Sequence, residues 1–179
     1  MVEALLHFAV PFASLRAIGL DWRKAAVASL IALTPDLDVL FHVHRSLTHS
    51  AIVLALVGLG LMAVTFLIPA GKRRAARSMI LLGVVGVVTH LALDLFGYYI
   101  PILWPLLNDS FWISTDLHLH IESLPFINGS VKLLTEPTVF KSFDSFDALA
   151  LTDEGLGVSL VLLIPSMVAV LRKRGRTNP

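Results

Sequence analysis

His90 and Asp94 stand four residues apart in an apolar run, residues 78–100, that carries no other charge. On a helix, positions i and i+4 lie one above the other on the same face, so both side chains reach a common point. In a lipid-spanning helix an imidazole and a carboxylate are costly unless something compensates them. A divalent metal ion suits the pair, because it takes nitrogen and oxygen donors together.

Further donors precede this run. His7 lies near the start of the chain, Pro35-Asp36-Leu37-Asp38 follows an apolar stretch, and His42, His44 and His49 crowd a polar segment. The candidate metal ligands are His7, Asp36, Asp38, His49, His90 and Asp94. Three His and three Asp suffice for one or two first-row ions, with zinc and manganese the natural choices. Two ions about 3.5–4 Å apart form a clamp for hydrolysing phosphoesters or similar bonds through metal-activated water. Asp38 or Asp94 can bridge the ions or accept the proton of the water. Arg45 matches a phosphate oxygen pair bidentately and completes the candidates for catalytic roles.

Each element also has a bland reading. A His-x-x-x-Asp pair can be a polar contact between helices. Pro-Asp-x-Asp can be a turn with Asx capping, and loop histidines are often merely solvated. Asp116, His118, His120 and Glu122 alternate with apolar residues, which suits a lid, a second metal contact or simply an exposed strand. Asn128-Gly129-Ser130 matches a glycosylation sequon that is common by chance. The conjunction of the first group carries the argument. His90 is 13 residues from Arg77, and Asp36 is 13 residues from Arg23. At 1.5 Å per residue both lie about 20 Å from a basic cluster, so the polar groups converge on one level.

The elements that must position these residues are expected to be membrane helices. The chain of 179 residues is 56% hydrophobic and 15% charged, against about 25% charged in soluble domains. A net charge of +1 gives no support to a nucleic-acid partner, and the absence of cysteine excludes thiolate zinc sites and Cys nucleophiles. Met-Val-Glu at the start lacks the basic region of a cleavable signal. Hydropathy places spans at about 4–20, 25–41, 51–70, 78–100 and 156–171. Residues 25–50 either cross or enter and return, so the expectation is an all-α membrane protein of about four spans in a single domain, residues 1–179. Residues 101–155, with two lysines, eight acids and a net charge of −6, form a long extracytoplasmic loop in this reading. Lys72, Arg73, Arg74 and Arg77, and Arg172, Lys173, Arg174 and Arg176, mark the cytoplasmic side. The site then faces outward from a multi-pass protein of the cell membrane.

The ordered set of His7, Pro35-Asp36-Leu37-Asp38, His44-Arg45-Ser46-Leu47-Thr48-His49-Ser50 and His90-Leu91-Ala92-Leu93-Asp94, followed by Leu103-Trp104-Pro105-Leu106, resembles the YdjM-type family of bacterial and archaeal membrane proteins. That family is regarded as metal-dependent hydrolases. The resemblance covers roughly residues 1–110 and implies metal or catalytic roles for His7, Asp36, Asp38, His49, His90 and Asp94, with Arg45 beside them. The early His and Pro-Asp elements are more faintly similar to zinc-dependent phospholipase C, which by analogy suggests phosphoester substrates. The expected function is a membrane-bound hydrolase that uses one or two divalent ions on a phosphoester or lipid-like substrate, with membrane lipids as its surroundings. The rivals are a metal-ion transporter or sensor, and a non-catalytic scaffold joined by a structural metal. The bare run 51–70 argues against a transport path.

Overall fold

The computed structural model describes residues 3–121, 126–144 and 152–175, with the side chains at 119, 120, 126 and 170–175 left aside. Glu122 and Arg176 lie outside the described residues, as do the side chains of His120 and of Arg172, Lys173 and Arg174. Helix α1 (Ala4–Ala17) ends in a Schellman motif. Gly19 sits at φ +85, its N–H bonds Arg16 O, and the Leu20 N–H bonds Leu15 O. Only glycine enters that left-handed backbone freely. Helix α2 (Trp22–Ile31) starts where the Asp21 carboxylate accepts the Arg23 N–H at 3.0 Å. It stops short of Pro35, and a 3-10 helix, Thr34–Phe41, takes over.

A second 3-10 turn, Leu47–His49, leads into α3 (Ala51–Val64), whose first turn is capped by Ser50 accepting the Val53 N–H. A 3-10 turn, Thr65–Leu67, closes α3, and after Pro69 comes the long α4 (Ala70–Gly97). Strands β1 (Asp109–His120) and β2 (Phe126–Pro137) pair antiparallel, and α5 (Asp153–Gly175) packs against α1. The core is made of small residues. Ala25, Ala28 and Ala32 of the α2 region are fully buried beside Phe12, Leu15, Val87 and Leu91. Gly83 and Gly86 let α4 approach α2 closely, as small residues do in helix pairs that lack a hydrophobic drive. The outward faces of α3, α4 and α5 stay apolar, with Leu56, Leu59, Val88 and Val161 more than half exposed.

The expectation of an all-α protein with about four spans is overturned on two counts. Among the described residues only α4 is long and apolar enough to cross a membrane. The proposed span 4–20 is a 14-residue helix cut short at Gly19, and 25–41 is divided at Pro35 into a 10-residue helix and a 3-10 helix. The stretch 51–70 makes 14 α-helical residues and one 3-10 turn, short of the roughly 20 that a bilayer asks for. The apolar part of α5 is bounded by Asp153 and Glu154 in its first turn. The second count is the hairpin. Within residues 101–155 the two 12-residue strands form a ribbon instead of an irregular loop. Phe111, Ile113, Leu117, Val131 and Leu133 share one of its faces, while Asp116, His118, Ser130 and Lys132 share the other.

The α2–α4 contact leaves no room for a side chain at one position. A Cβ on Gly86 would lie 2.5 Å from the Ala28 carbonyl oxygen, whereas one on Gly60 would meet nothing within 4 Å. Gly86→Ala is therefore expected to cost about 1–3 kcal/mol of stability, and Gly60→Ala to cost nothing or stabilise by up to about 1 kcal/mol. Thermal unfolding of the two variants in one detergent checks this, and equal midpoints contradict it.

Candidate metal centre

Four segments meet at one end of the helices. Helix α1 brings His7, the 3-10 helix Thr34–Phe41 brings Asp36 and Asp38, the turn Leu47–His49 brings His49, and α4 brings His90 and Asp94. One donor atom each from Asp36, His49, His90 and Asp94 lies within 4.8 Å of the others. His49 Nε2 is 3.4 Å from His90 Nε2. It is 3.5 Å from Asp36 Oδ1 and 3.2 Å from Asp94 Oδ2. His90 Nε2 is 3.5 Å from Asp36 Oδ1 and 3.3 Å from Asp94 Oδ2.

These lengths test whether an ion fits. Donors bound tetrahedrally at about 2.0–2.1 Å lie about 3.3–3.4 Å from one another. Around an octahedral ion with bonds of about 2.1 Å, neighbouring donors lie about 3.0 Å apart. Five of the six separations run from 3.2 to 3.5 Å, close to the tetrahedral value, and the sixth, between Asp36 and Asp94, lies within 4.8 Å. Asp94 Oδ2 is buried and close to two imidazole nitrogens, yet it makes no hydrogen bond of acceptable geometry. Buried oxygens without a hydrogen-bond partner are rare in folded proteins, and lone pairs converging on one point are what a cation requires. The donor set of two imidazoles and two carboxylates fits a divalent ion.

Two other sequence candidates flank this cluster. His7 stacks on the His90 ring, centroids 3.8 Å apart, with its Nε2 3.5 Å from Asp94 Oδ1. Asp38 faces the adjoining loop. It accepts the Ser46 N–H at 2.9 Å and the Ser46 and Thr48 hydroxyls at 3.0 Å, beside His44 Nδ1 at 3.3 Å. Its Oδ2 also lies 3.5 Å from His49 Nδ1, the nitrogen pointing away from the cluster. A carboxylate behind a ligating histidine fixes the ring and its tautomer. Ser46 and Thr48 are thus part of the support. They sit inside His44-Arg45-Ser46-Leu47-Thr48-His49, where their hydroxyls were the available signal.

Arg45 sits at φ 57, a backbone few side chains adopt. That turn places its Nη2 3.7 Å from Asp94 Oδ1 and its guanidinium over the Tyr98 ring. Nε and Nη2 are buried without a hydrogen-bond partner. Within the four-donor cluster His49, His90 and Asp94 are buried, while the Asp36 side chain keeps 28% of its exposure. Approach to the donors is therefore by way of Asp36. The Trp104 element anchors the neighbourhood, its carbonyl accepting the Ser50 hydroxyl beside His49. Asp116 and His118 are exposed on the hairpin and do not join the cluster.

Burial opposes a charge on the His49 imidazole, but the adjoining carboxylates of Asp36, Asp38 and Asp94 outweigh it and push its pKa up to about 10. Burial also favours neutral Asp38, yet His44, His49 and the Ser46 N–H hold its carboxyl well below the usual carboxylate range.

A family model described as YdjM inner membrane protein matches residues 2–174. No curated protein and no solved structure matches the chain.

The raised pKa of His49 makes a linked prediction. The folded metal-free chain holds this proton more tightly than the unfolded one, so the stabilisation is complete below the ordinary pKa of about 6.5. It is lost as pH rises through about 10. A divalent ion held there would replace the proton and remove that dependence. Thermal unfolding from pH 7 to pH 10 should show a falling midpoint without zinc and a flatter one with zinc. Equal slopes contradict this.

Proposed function

The chain belongs to the YdjM inner membrane protein family, and from that premise we propose that it is a membrane-bound, divalent-metal-dependent hydrolase acting on a phosphoester or lipid-like substrate. The observation that supports this reading is the pairing of a four-donor cluster with an arginine whose Nε and Nη2 lack hydrogen-bond partners. An anionic substrate oxygen would supply the missing partner, and a guanidinium meets phosphate with two parallel hydrogen bonds.

Zinc is the preferred ion, because the set is nitrogen and oxygen donors and five of its six separations suit a tetrahedral site. An ion held there would supply Lewis acidity and activate water for attack. Asp36, His49, His90 and Asp94 would hold the ion. Asp38 acts through His49, fixing its ring, and through Ser46 and Thr48, fixing the turn that carries Arg45. His7, with Nε2 beside Asp94 Oδ1, is placed to take a proton from a group bound there. The basic residues at the start of α4 and the acidic stretch after it support an extracytoplasmic cluster in this reading.

One observation favours a second reading. Four protein donors are the number that structural zinc sites use, whereas catalytic ones keep a position open. In the enzymatic reading, substrate would approach beside the partly exposed Asp36. The test is hydrolysis of bis(p-nitrophenyl) phosphate and of phospholipids by the detergent-purified chain. Activity is expected with zinc, lost on chelation and restored by zinc. Arg45→Ala should lower kcat/KM about 100-fold at unchanged zinc content. Stoichiometric zinc with no hydrolysis of either substrate class supports the structural reading instead.

A further inference from the structure

A cavity of about 410 Å³ lies between α2, α3 and α4. Its lining is apolar apart from Thr34 and contains no charged residue. One end is lined by residues that neighbour the donors in sequence. Thr34 is two residues before Asp36, Ala51 two after His49, and Leu91 directly follows His90. From there the wall of α3 runs ten residues from Ala51 to Leu61, and that of α4 twelve residues from Leu91 back to Met79. At 1.5 Å per residue these walls are about 15 and 18 Å long. Gly58 and Gly83 line the middle, where the Val84 and Ile31 side chains pack against them. Val57, Leu61 and Val88 are each at least half exposed, so the cavity opens sideways along its length.

We propose that this groove holds one acyl chain of a membrane lipid whose polar head lies at the Asp36, His49, His90 and Asp94 cluster. The inference rests on the hydrolase reading and narrows its substrate class to acyl lipids. Three observations argue for this occupant. Thr34, Ala51 and Leu91 at one end of the groove stand one or two residues from donors, so a molecule reaching both must be polar at one end and apolar over the length of a long chain. The lining has no group that would recognise a polar polymer or peptide backbone. The family resides in the inner membrane, where acyl chains are the molecules that meet a laterally open apolar groove. Arg45 stands at the head end, where an anionic headgroup would lie.

The test uses tetradecyl phosphate and hexyl phosphate, each with a diazirine at its terminal carbon. Each is photolysed with the zinc-supplemented full chain in phosphatidylcholine nanodiscs, and the labelled peptides are mapped by mass spectrometry. The long probe should label residues 57–61 and 79–84, and the short one residues 51–55 and 87–91. Ala55→Trp and Val84→Phe, which fill the groove from opposite walls, should each reduce long-probe labelling about fivefold or more. Zinc content is measured on the same samples. Labelling independent of chain length, or concentrated on the outward face of α5, overturns the groove. Absence of labelling, as when a second copy occupies it, overturns it too. Zinc bound with ungraded labelling refutes the groove alone, whereas graded labelling without zinc supports the groove and refutes the hydrolase.

Discussion

A carboxylate buried near the end of a lipid-length helix must be matched by positive charge within reach, and Asp94 sets that demand here. Its Oδ1 faces His7 and Arg45, and its Oδ2 faces His49 and His90. Removing a partner from a buried ion pair costs several kcal/mol, about 3–5 where no substitute is at hand. The partners come from α1, from the turn before α3 and from α4 itself. Segments far apart in sequence are therefore tied together by one charge. The same requirement explains why the ends of the helices meet where they do, while the faces that carry no polar group stay apolar outward.

The chemistry was legible in the sequence because it depends on short spacings. His90 and Asp94 needed only helical periodicity, and their neighbours stood out against an apolar background. Separating the two aspartates of Pro35-Asp36-Leu37-Asp38 required the local backbone. In a 3-10 helix of three residues per turn, residues two apart point in different directions. Asp36 therefore turns to the donors, and Asp38 turns to the loop carrying Ser46 and Thr48. Nothing in the pattern of the four residues announces that turn geometry. His7 and His90 were candidates as parallel ligands, and only the packing of α1 on α4 stacks one ring upon the other.

The fold was less legible than the site. Apolar run length is a measure of composition, and it counted residues 4–20 and 25–41 as spans without weighing how Gly19 and Pro35 end helices. The hairpin was hidden for a different reason. Alternation over Asp116, Leu117 and His118 was visible, but pairing with β2 is a contact between segments, and its register follows from both strands together. A net acidic stretch between hydrophobic runs also favours a loop reading until the β-branched and aromatic residues of both strands are set opposite one another.

The central claim is that two imidazoles and two carboxylates form one tetrahedral cation site. X-ray absorption at the zinc edge, on the detergent-purified full chain supplied with one equivalent of zinc, tests it most directly. The account predicts one tightly held ion per chain, with about four nitrogen and oxygen neighbours at about 2.0–2.1 Å and outer-shell scattering from about two imidazoles. The His90→Ala/Asp94→Ala chain should lose that ion. A spectrum of fully hydrated zinc from the unmodified chain, or the same spectrum from both chains, would contradict it.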